Sequence, residues 1–297
     1  MMCEQPLCFG CEGETLVGVL SLPENARPQT GVLIIVGGPQ YRVGSHRQFV
    51  LLARYLAAAG IPVLRFDVRG MGDSSGEARE FTEINDDIAA AISAFQQACP
   101  SLQGVVLWGL CDAASAALLY WQQSRDVRLR GMVLLNPWVR SEAGLARTRV
   151  RHYYRGRLLQ AAFWKKMLSG KMALRASLRD GWRNWRLARQ GGAGAEGGTF
   201  QSRMALALRE FPGPILFLLS GKDLTGQEFN DWASAEYAGM DWRQRPAWQC
   251  RVLAEADHTF SRGDWQREVE AATGEWLLQH VGPGFPEASV KDTLLSS

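Results

Sequence analysis

The sequence predicts an α/β fold with a mostly parallel central sheet, helices on both faces and an inserted helical cap. Three observations predict it. Short continuous apolar runs, the pattern of strands buried on both faces, recur along the chain. Segments with helical spacing separate them, and that alternation implies a parallel sheet covered on both sides. One long stretch, residues 139–210, breaks the alternation with a different composition.

Element by element, "LCFGCEG" and "TLVGVLSLP" read as two strands of a hairpin, added antiparallel to the sheet. "GVLIIVGG" (Gly31–Gly38) is an apolar run ending in glycines, as a buried strand should be. "RQFVLLARYLAAAG" has helical spacing and stops at Gly60, a residue suited to the left-handed position after a helix. "IPVLRFDVRG" is the next strand and "INDDIAAAISAFQQACP" the next helix. "VVLWG" is a strand, and a helix follows from Asp112. "LRGMVLLNPW", "GPILFLLSGKD" and "CRVLAEADH" supply further strands, and the helix "DWQREVEAATGEWLLQHV" closes the fold. No internal repeat is visible.

Residues 139–210 are too many for a loop. "GRLLQAAFWKKMLSGKMALRASL" has helical character, and "GGAGAEGG" (Gly191–Gly198) reads as a flexible tether. The whole reads as a cap inserted into a single domain spanning 1–297. From Arg140 to Glu210 there are sixteen Lys/Arg against four acids, so the cap carries +12 and the rest of the chain −9. Such a segment either meets something anionic or presents a solvated basic face.

With 46% hydrophobic and 21% charged residues, the chain can bury a full core and is not of the disordered class. No apolar run reaches the roughly 18 residues needed to span a bilayer. "MMCEQPLCFG" has neither a basic nor a long apolar region, so no signal peptide is read. Six cysteines without regular spacing do not make a disulfide framework. A cytoplasmic location is expected.

The stretch "GVVLWGLCDAASAALLYW" places Cys111 where a strand turns into a helix. Side chains two positions either side of a sharp turn crowd together, and Gly109 and Ala113 are small. The helix N-terminus favours a thiolate, while the charge of Asp112 opposes it. Taken alone, the position admits both a nucleophile and an inert packed thiol.

The wider pattern resembles an α/β-hydrolase over nearly the whole chain. "GLCDA" (Gly109–Ala113) is similar to the family's G-x-S-x-G elbow with cysteine for serine, as in dienelactone hydrolases, and with alanine for the last glycine. "FDVRGMGDSSG" (Phe66–Gly76) is similar to a D-x-R-G-x-G-x-S loop common in these enzymes. "VGGP" (Val36–Pro39) lies where the family often has H-G-x-x, with Val36 in place of the histidine. "SGKD" (Ser220–Asp223) resembles the segment bearing the acid, one residue shorter than G-x-x-D, and "EADHTF" (Glu255–Phe260) the histidine loop. More narrowly, "GGPQYRVGSHRQFVLLAR", "GLCDAASAALLY" and "FLLSGKDLTGQEF" resemble the hydrolases that accompany exosortase (PEP-CTERM) sorting systems. That resemblance implies a setting of protein sorting and exopolysaccharide production, without a substrate.

It also implies a Cys111–His258–Asp223 triad. Of the four histidines only His258 follows a sheet strand at the end where the cysteine lies. It would be the base, and Asp223 would hold its tautomer. Asp257 is adjacent to His258 and is expected to shape the loop; Glu228 is expected near the start of a helix. The oxyanion hole is expected from the backbone N–H groups of Gly38 and Asp112, because Pro39 has none.

The expected function is acyl transfer through an acyl-cysteine: an esterase or thioesterase with water as acceptor, or an acyltransferase with an amine or hydroxyl. A non-catalytic binding or scaffold protein on the same fold is the alternative class. The substrate would be a small-molecule or lipid-like acyl compound that the basic cap would suit if it is anionic. No cofactor, metal or nucleic acid is expected. The C-x4-C-x2-C spacing of Cys3, Cys8 and Cys11 lacks a fourth ligand, and Cys99 and Cys250 read as packing. Trp164, Trp182 and Trp185 suit the inner face of a lid. The amphipathic run Leu158–Met172 would cover the active-site mouth or touch a membrane surface. Oligomeric state is not read from the sequence.

Overall fold

Two ten-residue strands, β1 (Met2–Cys11) and β2 (Glu14–Pro23), begin the chain as an antiparallel hairpin. The structure is a computed structural model and describes residues 2–24, 29–38, 40–140, 198–237 and 241–280. The remaining elements are β3 (Thr30–Ile35), α1 (Gln48–Ala58), β4 (Val63–Phe66), α2 (Asn85–Ala98), β5 (Gly104–Leu110), α3 (Asp112–Ser124), β6 (Leu129–Leu135), α4 (Phe200–Glu210), β7 (Ile215–Ser220), α5 (Leu224–Glu236), β8 (Trp248–Leu253) and α6 (Gly263–His280).

The eight strands form one sheet in the order β1-β2-β4-β3-β5-β6-β7-β8. β2 pairs antiparallel with β4, and every pairing from β4 to β8 is parallel. The apolar runs become the strands covered on both faces: every residue of β3, β4, β5 and β7 is buried. β1 and β8 lie at the edges and carry exposed side chains. α1 ends as its sequence requires, with Gly60 at φ 92° two residues beyond the helix. The first turns of α3 bury the small residues Ala113–Ala117, and its later turns bury Leu118, Leu119, Tyr120 and Trp121. On one face of the sheet, Phe49 of α1 meets Trp108 of β5 edge-on, with centroids 5.7 Å apart.

Two compact units are present, residues 139–199 and the remainder. Residues 141–197, most of the expected cap with its tryptophans, amphipathic run and glycine tether, lie outside the described residues. The end of that expected segment, Phe200–Glu210, is α4 and belongs with the sheet. Its Met204, Ala205, Ala207 and Leu208 are buried, it packs on α3, and Phe200 meets Phe81 edge-on. Composition does not mark this boundary, because the outer face of α4 carries Arg203 and Arg209 and so continues the basic run. Among the described residues no helix is long and apolar enough to cross a membrane.

Candidate active site

β5 is the middle of the sheet, and at its carboxyl end the chain must turn sharply into α3. Cys111 makes that turn at φ 62°, ψ −122°. A non-glycine residue there stores strain of order 1–3 kcal/mol and must be held by its surroundings. Its N–H donates to the Leu135 carbonyl (2.8 Å), and its own carbonyl accepts from the Trp138 N–H (3.1 Å). Ser115 Oγ donates to the Trp138 carbonyl (2.6 Å), which ties the first turn of α3 to the same segment. The small residue at 109 is required: a methyl on Gly109 would lie 2.6 Å from the carbonyl carbon of Ala113.

Asp223 follows β7 and caps α5. It has extended backbone, and Oδ2 accepts the Gly226 N–H at 3.0 Å. The same oxygen lies 2.8 Å from Nδ1 of His258, in the loop after β8. His258 and Cys111 line the same cavity, so the three residues singled out in the sequence are brought together. The Asp223 bond, then the Cys111 contact, push the imidazole up to about 10 against its desolvation. Burial alone would raise the Asp223 carboxyl, but the His258 bond and backbone N–H groups outweigh it and hold it below the usual carboxylate range. Asp257 turns away from His258 and accepts the N–H groups of Thr259 (3.2 Å) and Ser261 (2.9 Å). Glu228 is buried in the first turns of α5.

The glycine loop after β3 comes against the start of α3. Gly38 has φ 59°, which glycine adopts without strain. Its N–H, expected to face a substrate, donates to Asp112 Oδ2 at 2.8 Å. Asp112 Oδ1 accepts the Ala113 N–H at 2.9 Å. Gly37 packs so closely that a methyl there would overlap Asp112 Oδ1 and lie 2.7 Å from the Ala113 nitrogen. Above Cys111 opens a cavity of about 390 Å³, walled by Phe49, Phe81, Leu110 and Trp138 and reached by Asp112 and His258.

Residues 32–272 match the model of the Alpha/beta hydrolase family. The chain belongs to the α/β hydrolase family. Solved structures agree on the fold. The Pyrococcus furiosus esterase Pf2001 is 15% identical, with 95% of this chain and 94% of that one covered at a TM-score of 0.62. Est1E of Butyrivibrio proteoclasticus, solved with ferulic acid, is 14% identical, with 93% and 99% covered at 0.61. XC6422 of Xanthomonas campestris, a serine hydrolase without a lid, is 15% identical, with 95% and 97% covered at 0.58. No curated protein matches the sequence.

Two further parts of this α/β hydrolase position the site. Asn136, fully buried with φ 43°, joins three strand ends. Its Nδ2 donates to Ser220 Oγ (2.8 Å) and to the His258 carbonyl (3.2 Å), and its Oδ1 accepts the Ser220 N–H (2.8 Å). Ser220 Oγ in turn donates to the Asp257 carbonyl (2.7 Å). Sequence reading passed over Asn136; the signal was an Asn-Pro pair directly after an apolar strand. The loop 66–76 has an architectural part in the hydrolase. Fully buried Asp67 accepts the N–H groups of Arg42 (2.6 Å) and Asp73 (3.0 Å) and pairs with the Arg42 guanidinium, which fixes the chain just beyond Gly38. Arg69 clasps buried Asp87 through its backbone N–H (2.8 Å) and its guanidinium (2.8 Å).

Proposed function

We propose that the protein is an acyl-transfer enzyme of the esterase or thioesterase type, with Cys111 as nucleophile, His258 as base and Asp223 as its orienting acid. The observation that carries this reading is the strained Cys111 sharing one cavity with a His258 that is itself held at 2.8 Å by Asp223. An imidazolium beside a sulfur is the arrangement in which a cysteine attacks as thiolate. The thiolate adds to an acyl carbonyl, the leaving group takes its proton from His258, and an acyl-cysteine remains. Water then releases the acyl group. Of the two backbone N–H groups expected to serve the oxyanion, that of Gly38 donates to Asp112 Oδ2, which leaves the Asp112 N–H as the proposed donor, worth about 3 kcal/mol. The apolar walls of the cavity favour a small acyl group.

A thioester intermediate reacts more readily with amines than an oxygen ester does, and this supports an acyltransferase as the second reading. The narrower resemblance to exosortase-associated hydrolases supports a role beside protein sorting and exopolysaccharide production, and six cysteines without regular spacing support a cytoplasmic location. The experiment is intact-mass analysis after exposure to a panel of acyl thioesters and activated esters. An acyl adduct on the wild type, absent from Cys111→Ala with its fold intact, is the expected result. Full labelling of Cys111→Ala would overturn the assignment, and absence of any adduct would favour a non-catalytic protein.

A further inference from the structure

We propose that the Asp112 carboxylate is a built-in gate on the nucleophile: at rest it fills the seat of the oxyanion, and an acyl carbonyl must turn it out before Cys111 can be acylated at full rate. This rests on the acyl-transfer reading and adds a closed resting state to it. Its ground is the place the carboxyl occupies. Oδ2 accepts the Gly38 N–H at 2.8 Å and Oδ1 the Ala113 N–H at 2.9 Å. Both oxygens act as acceptors, the part an ionised carboxyl plays. The Gly38 donor expected to receive a substrate oxyanion is therefore already engaged by a side chain of this protein. The seat is shaped for that side chain, because a methyl on Gly37 would overlap Oδ1. Burial raises the carboxyl, while the Gly38 and Ala113 N–H groups and His258 act the other way.

Closure works in two ways. A carbonyl oxygen entering the site finds the Gly38 N–H occupied, and an oxyanion forming beside Asp112 meets a like charge in a partly desolvated place. The carboxyl also has room to leave. Asp112 lines the cavity above Cys111 and a second one of about 240 Å³, whose walls include Glu80 and the cation of Arg79. Only the side chain has to turn, because the Asp112 backbone is the first residue of α3.

With the gate open the step balances. The thiol proton goes to Nε2 of His258, and the Sγ–carbon bond forms. The carbonyl electron pair moves to oxygen, which accepts the N–H groups of Gly38 and Asp112. On collapse the leaving group departs with the His258 proton. Asp112 keeps its charge throughout and returns to Gly38 once the acyl group has gone.

The test compares two reactions of Cys111 in the wild type, Asp112→Ala and Asp112→Gly, with adducts checked by intact mass and folds by circular dichroism. Single-turnover acylation by p-nitrophenyl acetate builds an oxyanion. Alkylation by iodoacetamide uses the same thiolate and builds none, so the ratio of the two rates removes any general change in thiol reactivity. Deleting the carboxyl should raise that ratio at least about tenfold, the scale of one oxyanion donor. A ratio equal to or below that of the wild type in either folded variant overturns the proposal. A crystal structure of the wild type carrying a trifluoromethyl ketone on Cys111 decides the matter even if neither variant folds. The ketone oxygen should hold the Gly38 N–H with the Asp112 carboxyl turned away, and a carboxyl still on Gly38 overturns the gate. Either contrary result leaves the acyl-transfer reading intact. No acyl adduct on Cys111 in any folded protein overturns that reading and this proposal with it.

Discussion

Asp223 uses a single carboxylate oxygen for two tasks, capping α5 through Gly226 and holding His258 by Nδ1. Asp223→Asn should lower turnover at least about 100-fold by mis-setting the imidazole tautomer. It should also change how stability depends on pH. The raised His258 value means that stabilisation through its protonation is fully present below about 6.5, the ordinary histidine value, and is lost as pH rises through about 10. In Asp223→Asn the imidazole moves back toward its ordinary value, so the decline in melting temperature across that alkaline window should flatten. Thermal scans at several pH values read this directly, and an unchanged slope would separate His258 from Asp223. Asp257→Asn should cost far less turnover, because that carboxylate serves Thr259 and Ser261. Glu228→Gln should act mainly on stability. At this scale Cys111 and Asp223 were legible because each follows a buried apolar strand, and His258 because it alone of the four histidines follows a strand at that end of the sheet. The seat of the Asp112 carboxyl was not, since spacing gives a residue's place in an element but not the direction of its side chain.

Asn136 does at the level of elements what the triad does at the level of atoms: it fixes β6, β7 and the loop after β8 to one another. Asn136→Ala removes an acceptor from the buried Ser220 N–H and a donor from the His258 carbonyl. A buried group left without its partner costs about 1–3 kcal/mol, so the urea midpoint should fall at unchanged slope. Turnover should fall with it, since His258 loses an anchor; wild-type values of both would show that the histidine loop is held elsewhere. The succession of strands and helices along the chain was legible because period and length separate buried strands from amphipathic helices; the sheet order, with β4 between β2 and β3, was not. Two elements were harder to read. α4 shares the positive charge of the segment before it, and β8 begins at Trp248, two residues before the expected strand, because a half-exposed edge strand shows no continuous apolar run.

At the scale of the whole molecule, a basic segment of sixteen Lys/Arg and four acids sits in a chain that is otherwise acidic. On the proposal that it recruits an anionic substrate or surface, KM should rise with ionic strength while kcat changes little, because exposed charges are screened. Reversing Arg147, Arg151 and Arg155 should abolish that dependence in steady-state assays across a salt series. An unchanged salt profile assigns these arginines to a solvated face. The sheet order has a temporal consequence as well. Cys111 precedes the 139–199 unit, whereas Asp223 and His258 follow it and reach the cysteine only once β7 has added to β6 and β8 to β7. A ribosome that has made the first 138 residues has laid down the thiol but neither group of the proposed relay. About 76 further residues, roughly 4–15 s at 5–20 residues per second, pass before the strand that precedes the acid can be started. On the proposed triad, translation order therefore keeps the nascent cysteine without its base until the last third of the chain has docked.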